Sequence, residues 1–333
     1  MKRIQNVWLI VTILGLCTSM TFSQIKLAQT GFNFLSLSSD ARSNGMGGAV
    51  NSLSGFSGAM SSNPASMAEM PTFLSASFDM NKWIADINYI SASVIVSPSS
   101  GDYGTIGLNV QSVDYGNIEG TMVDRNNPVN GYVETGNINP TALAVGLGYS
   151  KMISKQFGVG ARVKYAYQSL GQSTFIDDIS GDVSTKKNKT DAIAFDFGTI
   201  YKTGIKSIVF GMSVTNFSKE IKFESEGFQL PLLFTIGISA NLFELINSQQ
   251  SSQELLLAAD WTHPRSHPEQ LKIGAEYRFK QLLSLRAGYV SGNDESSFTY
   301  GVGVSSFGLE VDYSYIPFGV FGNVQQFTAR VSL

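Results

Sequence analysis

The feature that most constrains this chain is a two-residue alternation of apolar side chains with polar or small ones, repeated in long segments. In Phe157–Gln168 one face is Phe157, Val159, Ala161, Val163, Tyr165 and Tyr167, and the other is Gly158, Gly160, Arg162, Lys164, Ala166 and Gln168. Gln270–Phe279 sets Leu271, Ile273, Ala275, Tyr277 and Phe279 against Lys272, Gly274, Glu276 and Arg278. Thr141–Ser150 places Leu143, Val145, Leu147 and Tyr149 between Ala142, Ala144, Gly146 and Gly148. Successive side chains of a strand point to opposite faces, so each segment is an extended strand with one greasy and one polar or glycine face.

About fourteen such segments are predicted, near 73–82, 85–96, 104–115, 141–153, 157–170, 190–202, 207–217, 232–242, 253–262, 270–279, 283–291, 297–306, 309–315 and 325–333. Most run to about ten residues, which suits a tilted membrane-crossing strand, whereas soluble strands average about five or six. An even number is what a single-chain bacterial barrel requires. The fold predicted is all-β, an integral outer-membrane antiparallel barrel of about 14 strands. The competing reading, a soluble β-sandwich, is disfavoured by strand length and by the last segment. There Phe327, Ala329, Val331 and Leu333 alternate with Thr328, Arg330 and Ser332 to the final residue.

Composition agrees. Charged residues are 15% of the 333, against about 25% in soluble domains, while 33 Gly, 22 Phe and 13 Tyr are abundant. Mean hydropathy is only +0.05, as expected of a wall apolar outside and polar inside. A net charge of −3 removes the electrostatic reason for nucleic-acid binding. Met1-Lys2-Arg3, an apolar run from Val7 to Cys17 and small residues ending at Ser23 read as an export signal cut after Ser23. The alternatives are an anchoring helix, for which the run is short, and a lipoprotein signal at Cys17, before which the large Leu16 is ill suited. Cys17 is the only cysteine, so the exported chain has neither a disulfide framework nor a cysteine metal site. The organisation expected is a signal at 1–23, an N-terminal hatch at 24–72 and a barrel at 73–333, lodged in the outer membrane of a diderm bacterium.

Tight connectors at Ser154–Gln156 and Lys280–Leu282 alternate with long polar ones, as periplasmic turns and outer loops do. Gly116–Pro140 carries Asn126-Asn127-Pro128, and Gly171–Lys189 carries Asp177-Asp178 and Lys186-Lys187. Aromatics near strand ends (Trp83, Tyr115, Tyr149, Tyr167, Tyr201, Trp261, Tyr277, Phe279, Tyr289, Tyr315) fit bilayer-interface girdles. With greasy faces toward lipid, the lumen receives Arg162, Lys164, Lys272, Arg278, Arg286 and Arg330, with Asp196, Asp260, Glu276, Glu310 and Asp312. Ion-selective pores carry rings of one sign. A near-balanced set reads instead as charge pairs filling the lumen or holding a plug.

Gln29–Pro71 lacks the wall pattern. Its glycine clusters and Asn63-Pro64 impose turns and close backbone approach, which suits a segment folded into the lumen; a periplasmic linker is the competing reading. Other motifs carry no chemistry. Gly45-x-Gly47 lacks the third glycine of a dinucleotide fingerprint. His263 and His267 sit among Pro264 and Pro268, which disfavours a helical metal site and suggests a polar turn. A barrel phospholipase needs a Ser–His pair on a wall strand, and neither histidine falls in a predicted strand. Asp177-Asp178 with Asp182 reads as solvated loop charge more readily than as a calcium site. No catalytic set or cofactor is expected, and the chain is read as no enzyme.

Phe34-Leu35, Asp40-Ala41-Arg42, Gly45-Met46-Gly47 and Asn63-Pro64-Ala65 together resemble the N-terminal signature of the PorV/PorQ family. Trp83 with Asp86-Ile87, and Pro317-Phe318-Gly319 with Gly322-Asn323, fit it as well. The resemblance implies a fourteen-stranded FadL-like barrel with Gly45, Met46, Gly47, Asn63, Pro64 and Ala65 in the hatch. It also implies service in type IX secretion, with the translocon and cargo C-terminal domains as partners beside outer-membrane lipid. Val324-Gln325-Gln326-Phe327 departs from the Thr-His-Arg of the secretion shuttle, and the loops are shorter, so a generic family role stays open. The runner-up implied is a FadL-like channel for hydrophobic small molecules.

Overall fold

Period-two segments can cover one face in a sandwich or in a closed ring, and only the ring leaves no open edge. In this computed structural model the ring is realised. Residues 30–123, 130–176, 183–223, 226–246, 252–292 and 296–333 are described. The export signal with Cys17, the start of the N-terminal segment to residue 29, Asn126-Asn127-Pro128, Asp177-Asp178 and Asp182 lie outside them.

In chain order the strands are β1 Leu74–Lys82, β2 Asn88–Val96, β3 Thr105–Asp114, β4 Ile118–Val123, β5 Tyr132–Ile138, β6 Thr141–Met152, β7 Phe157–Ile176, β8 Val183–Lys202 and β9 Val209–Phe217. There follow β10 Ile221–Phe223, β11 Glu226–Phe228, β12 Leu233–Asn241, β13 Gln253–Pro264, β14 Gln270–Phe279, β15 Leu283–Val290, β16 Phe298–Ser306, β17 Leu309–Pro317 and β18 Asn323–Ser332. Fourteen of them, all but β4, β5, β10 and β11, form one closed antiparallel barrel, sealed where β1 meets β18 from Ser75↔Ser332 to Lys82↔Gln325. Each predicted segment corresponds to one wall strand. His263 belongs to the end of β13, opposite Phe234, and so is not in a turn as expected.

Side-chain burial follows the alternation. Leu285 and Val302, opposite each other on β15 and β16, are 58% and 49% exposed on the outer face, while Arg286, next to Leu285 in β15, is 4% exposed. Such an apolar outer band is what lipid requires. Tyr149, Tyr201, Trp261, Phe279 and Tyr289 stand in it as expected. Trp83 and Tyr115 do not: they pack on a buried cluster at one mouth, where Trp83 meets Phe318 at 5.2 Å between ring centroids.

Short turns (153–156, 280–282 and 307–308) share one rim with residues 73 and 333. That rim is periplasmic by the rule that outer-membrane barrels keep short turns there. The opposite rim carries two features the sequence pattern did not disclose. β7 and β8 are each 20 residues and stay paired to Ile176↔Val183, past the last β6 partner at Thr141↔Ser169. This raises a ribbon about 20 Å beyond the wall at the usual strand rise. β4 and β5 form a second ribbon, and Ile138 packs on Gly171 of the first.

Candidate functional site

The closed wall turns its polar faces onto an N-terminal segment that crosses the lumen from Thr30 to Met70. Thr30 pairs with Gln229 at the outer rim, while Leu74 is tied to Leu333 at the periplasmic rim. Between them lie a short helix, Ala41–Gly45, and single-turn helices Asn33–Ser36, Ser57–Ser61 and Pro64–Glu69. Their caps are sequence-encoded. The Asp40 carboxylate accepts from the Ser43 backbone N–H, and Asn63 accepts from the Ala65 N–H, with Pro64 at the first helical position, where no N–H is needed.

One network of ion pairs joins segment and wall. The Arg330 guanidinium donates to Asp40 at 2.8 Å and to Glu310 at 2.7 Å, with Asp312 3.5 Å away. Arg286 donates to Asp312 at 2.6 Å and to Glu276 at 2.5 Å. Glu276 also holds Arg42 through two bonds of 2.8 and 2.9 Å, and Arg278 at 3.0 Å. Arg42 and Arg330 lie over the Phe56 ring at 4.5 and 5.3 Å. Sheet register sets the wall part of this network: Glu276 faces Arg286, and Glu310 faces Arg330, on neighbouring strands. Burying acidic and basic groups to 0–9% side-chain exposure is costly, and pairing of this kind offsets the cost.

A second cluster occupies the far wall. Asp196 accepts from Arg162 at 2.6 Å and from Lys164 at 2.9 Å, and caps the Asn216 backbone N–H at 2.7 Å. The β8–β9 register shifts between Phe195 and Phe197, so this bulge is filled from within by a charged cluster, to which Lys164 adds a bond to the Asn216 side chain. Asp260 accepts the Asn51 N–H at 2.9 Å and lies opposite Lys272 in register. Of the sequence-predicted lumen charges, Arg162, Lys164 and Asp196 thus form one cluster. Glu276, Arg278, Arg286, Glu310, Asp312 and Arg330 form another, and Asp260 and Lys272 stand apart from both.

The glycine faces of the wall admit the segment's backbone. A Cβ on Gly160 would come within 2.5 Å of the Pro64 carbonyl carbon and the Ala65 nitrogen; one on Gly198 would fall 1.9 Å from the Asn63 side-chain oxygen. Asn63 donates to the Asn51 and Thr199 carbonyls at 2.7 and 3.1 Å. Gly45 lies against Gly301, and Met46-Gly47 against Gly288. Toward the outer mouth Phe32 and Phe34 pack with Tyr89, Val113 and Leu230, and burial pushes the Tyr115 phenol up. Near the same mouth a cavity of about 310 Å³ is lined by Asn33, Ser36, Leu232, Leu233 and Lys272, while the space beside the segment at Ser39, Asn109, Arg162 and Lys164 is polar and about 50 Å³. That is room for a few waters. Sequence reading missed Asp40, Asn51, Phe56 and Asn216 as partners. The glycine-rich inward faces of β6 and β7 were the available signal, since strand glycine marks close backbone approach.

No group of three metal-binding side chains occurs among the described residues. His263 sits 2.9 Å from Glu269, and His267 2.8 Å from the Ser266 hydroxyl. Fold and interior define an outer-membrane β-barrel with a filled lumen. Residues 132–317, more than half the chain, match the family described as type IX secretion system membrane protein PorP/SprF, and the chain belongs to that family. The more specific block of the narrower likeness to PorV/PorQ, residues 34–65, lies outside the matched span. No curated protein matches. Among solved structures the chain resembles the Pseudomonas putida toluene transporter TodX at 13% identity, covering 93% of this chain and 99% of that one, with a TM-score of 0.57. The CymD monoaromatic hydrocarbon channel is similar at 12% identity, 88% and 96% coverage and a TM-score of 0.56. A Pseudomonas aeruginosa FadL homologue is similar at 10% identity, 88% and 98% coverage and a TM-score of 0.50. At these identities the likeness concerns the fold.

Proposed function

We propose that this protein is a non-enzymatic docking component of type IX-like secretion, acting through its outer loops and ribbons on the translocon and on cargo C-terminal domains. In this reading residues 1–23 are removed on export, 24–72 form a hatch, and 73–333 are the transmembrane wall. Gly45, Met46, Gly47, Asn63, Pro64 and Ala65 fasten the hatch, and the lumen charges lock it. The observation that carries the reading is the interior: two buried clusters of paired charges occupy it, one of them tied to the segment, and the cavity beside Arg162 and Lys164 is polar and holds only a few waters. A route for an apolar solute calls for a continuous apolar pocket instead. The β4–β5 and β7–β8 ribbons supply outward surface for a protein partner, and the family match favours secretion.

A second reading, a FadL-like channel for hydrophobic small molecules, is favoured by the barrels it resembles, which include a toluene transporter. Deleting the gene in its native host separates the two. Loss of type IX cargo from the cell surface, restored by the intact gene, supports docking. Unchanged cargo export with slowed uptake of an aromatic hydrocarbon overturns it.

A further inference from the structure

We infer that the outer wall carries a binding site for an anionic glycerophospholipid of the inner leaflet, built on β6, β7 and β8. Register places Ala161 between Tyr149 and Phe197, and Val163 between Leu147 and Phe195, all on the lipid-facing side. A methyl group flanked by two rings leaves a depression. The structure shows there an apolar groove of about 350 Å³ lined by these residues. Its ring-bearing strands are two spacings apart, about 10 Å, wide enough for one acyl chain. The rings are held in place: the Tyr149 hydroxyl donates to the Tyr103 carbonyl at 3.0 Å, and Gly104 lies against the Tyr149 ring.

The groove sits next to the periplasmic rim, since β6 ends at Met152 and β7 begins at Phe157. The next residue of β6 on the same outward side is Lys151, opposite Val159, one step of about 7 Å toward the rim. Lys155 follows in the turn. No ion pair engages either lysine among the described residues, whereas Lys202 on the same rim is held by Glu69. Apolar groove and unpaired cations therefore lie in the order of an acyl chain and its phosphate. Juxtamembrane lysines attract anionic headgroups, and the apolar lining takes the chain. A headgroup of the opposite leaflet would lie at the other rim.

The test is native mass spectrometry of the full chain in detergent, titrated with dioleoylphosphatidylglycerol. Ala161→Phe, which fills the groove, and Lys151→Glu, which reverses the charge, are each expected to weaken binding at least tenfold, with the heat-modifiable gel shift of the folded barrel unchanged. Ala287→Phe, on the outward face of β15, is expected to bind as the unaltered protein does. Should Ala161→Phe fail to fold, Lys151→Glu with Lys155→Glu carries the same comparison. Equal binding by the groove and rim variants, or equal loss in Ala287→Phe, would overturn the site by making the lipid merely annular. Phosphatidylcholine binding as tightly as phosphatidylglycerol, or glycerol phosphate competing fully, would overturn the assignment of chain and head.

Discussion

Replacing Arg330 by leucine removes the group that ties the closing strand to the N-terminal segment. Its guanidinium, 2% exposed, donates to Asp40, Glu310 and the Ser57 hydroxyl at 2.8, 2.7 and 3.3 Å. Arg286 remains 3.4 Å from Glu310 and 2.6 Å from Asp312, so these two keep a cation. Asp40 keeps only its bonds from the Ser43 backbone and hydroxyl. Removing one partner of a buried pair costs roughly 3–5 kcal/mol, because the other charge is left uncompensated. With only one carboxylate orphaned, the low end, about 3 kcal/mol, is expected. Urea unfolding in lipid vesicles, followed by tryptophan fluorescence, measures it. Adding Asp40→Asn to Arg330→Leu removes the orphaned charge and is expected to restore at least ~1 kcal/mol, within the range of coupled neighbours. A loss below ~0.5 kcal/mol, typical of surface positions, would refute the inward placement of Arg330 and its role as a tie.

Three other outcomes follow from the same packing. Gly160→Ala drives a methyl into the Pro64–Ala65 backbone and is expected to cost about 1–3 kcal/mol as overpacking, read as a lower urea midpoint. Asp196→Asn leaves Arg162 and Lys164 facing each other without their shared acid, for a loss of roughly 3–5 kcal/mol in the same assay. Deleting residues 29–71 is expected to leave a barrel that still inserts but conducts ions in planar bilayers, where the intact protein is closed. Failure to insert in any lipid would make the segment part of the wall.

The wall was readable because lipid and lumen impose period two on every strand that crosses, and Phe157–Gln168 or Gln270–Phe279 spell that out residue by residue. The upper half of β8 was not. Ser184, Thr185, Lys186, Lys187, Asn188 and Lys189 have no apolar face, since neither lipid nor core touches them, and they are strand only because β7 pairs with them. The inward charges were readable as a set for the same reason as the wall. Their partners were not, because Asp40 meets Arg330 across 290 residues and Arg42 meets Glu276 across 234, distances that only barrel closure brings together. Trp83 and Tyr115 look like girdle residues by position, yet the aromatic cluster at the mouth takes them because Phe32 and Phe34 offer burial there. His263 looks like a turn residue because Pro264 and Pro268 disfavour a helix there, yet β13 carries it and ends at Pro264.

The most direct measurement is a nitroxide scan of β14 in reconstituted bilayers, one cysteine-attached label at a time, comparing relaxation by oxygen and by a water-soluble nickel chelate. Labels at positions 271, 273, 275 and 277 are expected to read oxygen well above nickel, while those at 272 and 274 read neither strongly, giving period two along the strand. A profile without that period, or nickel access at 271 and 273 equal to that at 272 and 274, would contradict a wall with lipid on one side and a filled interior on the other.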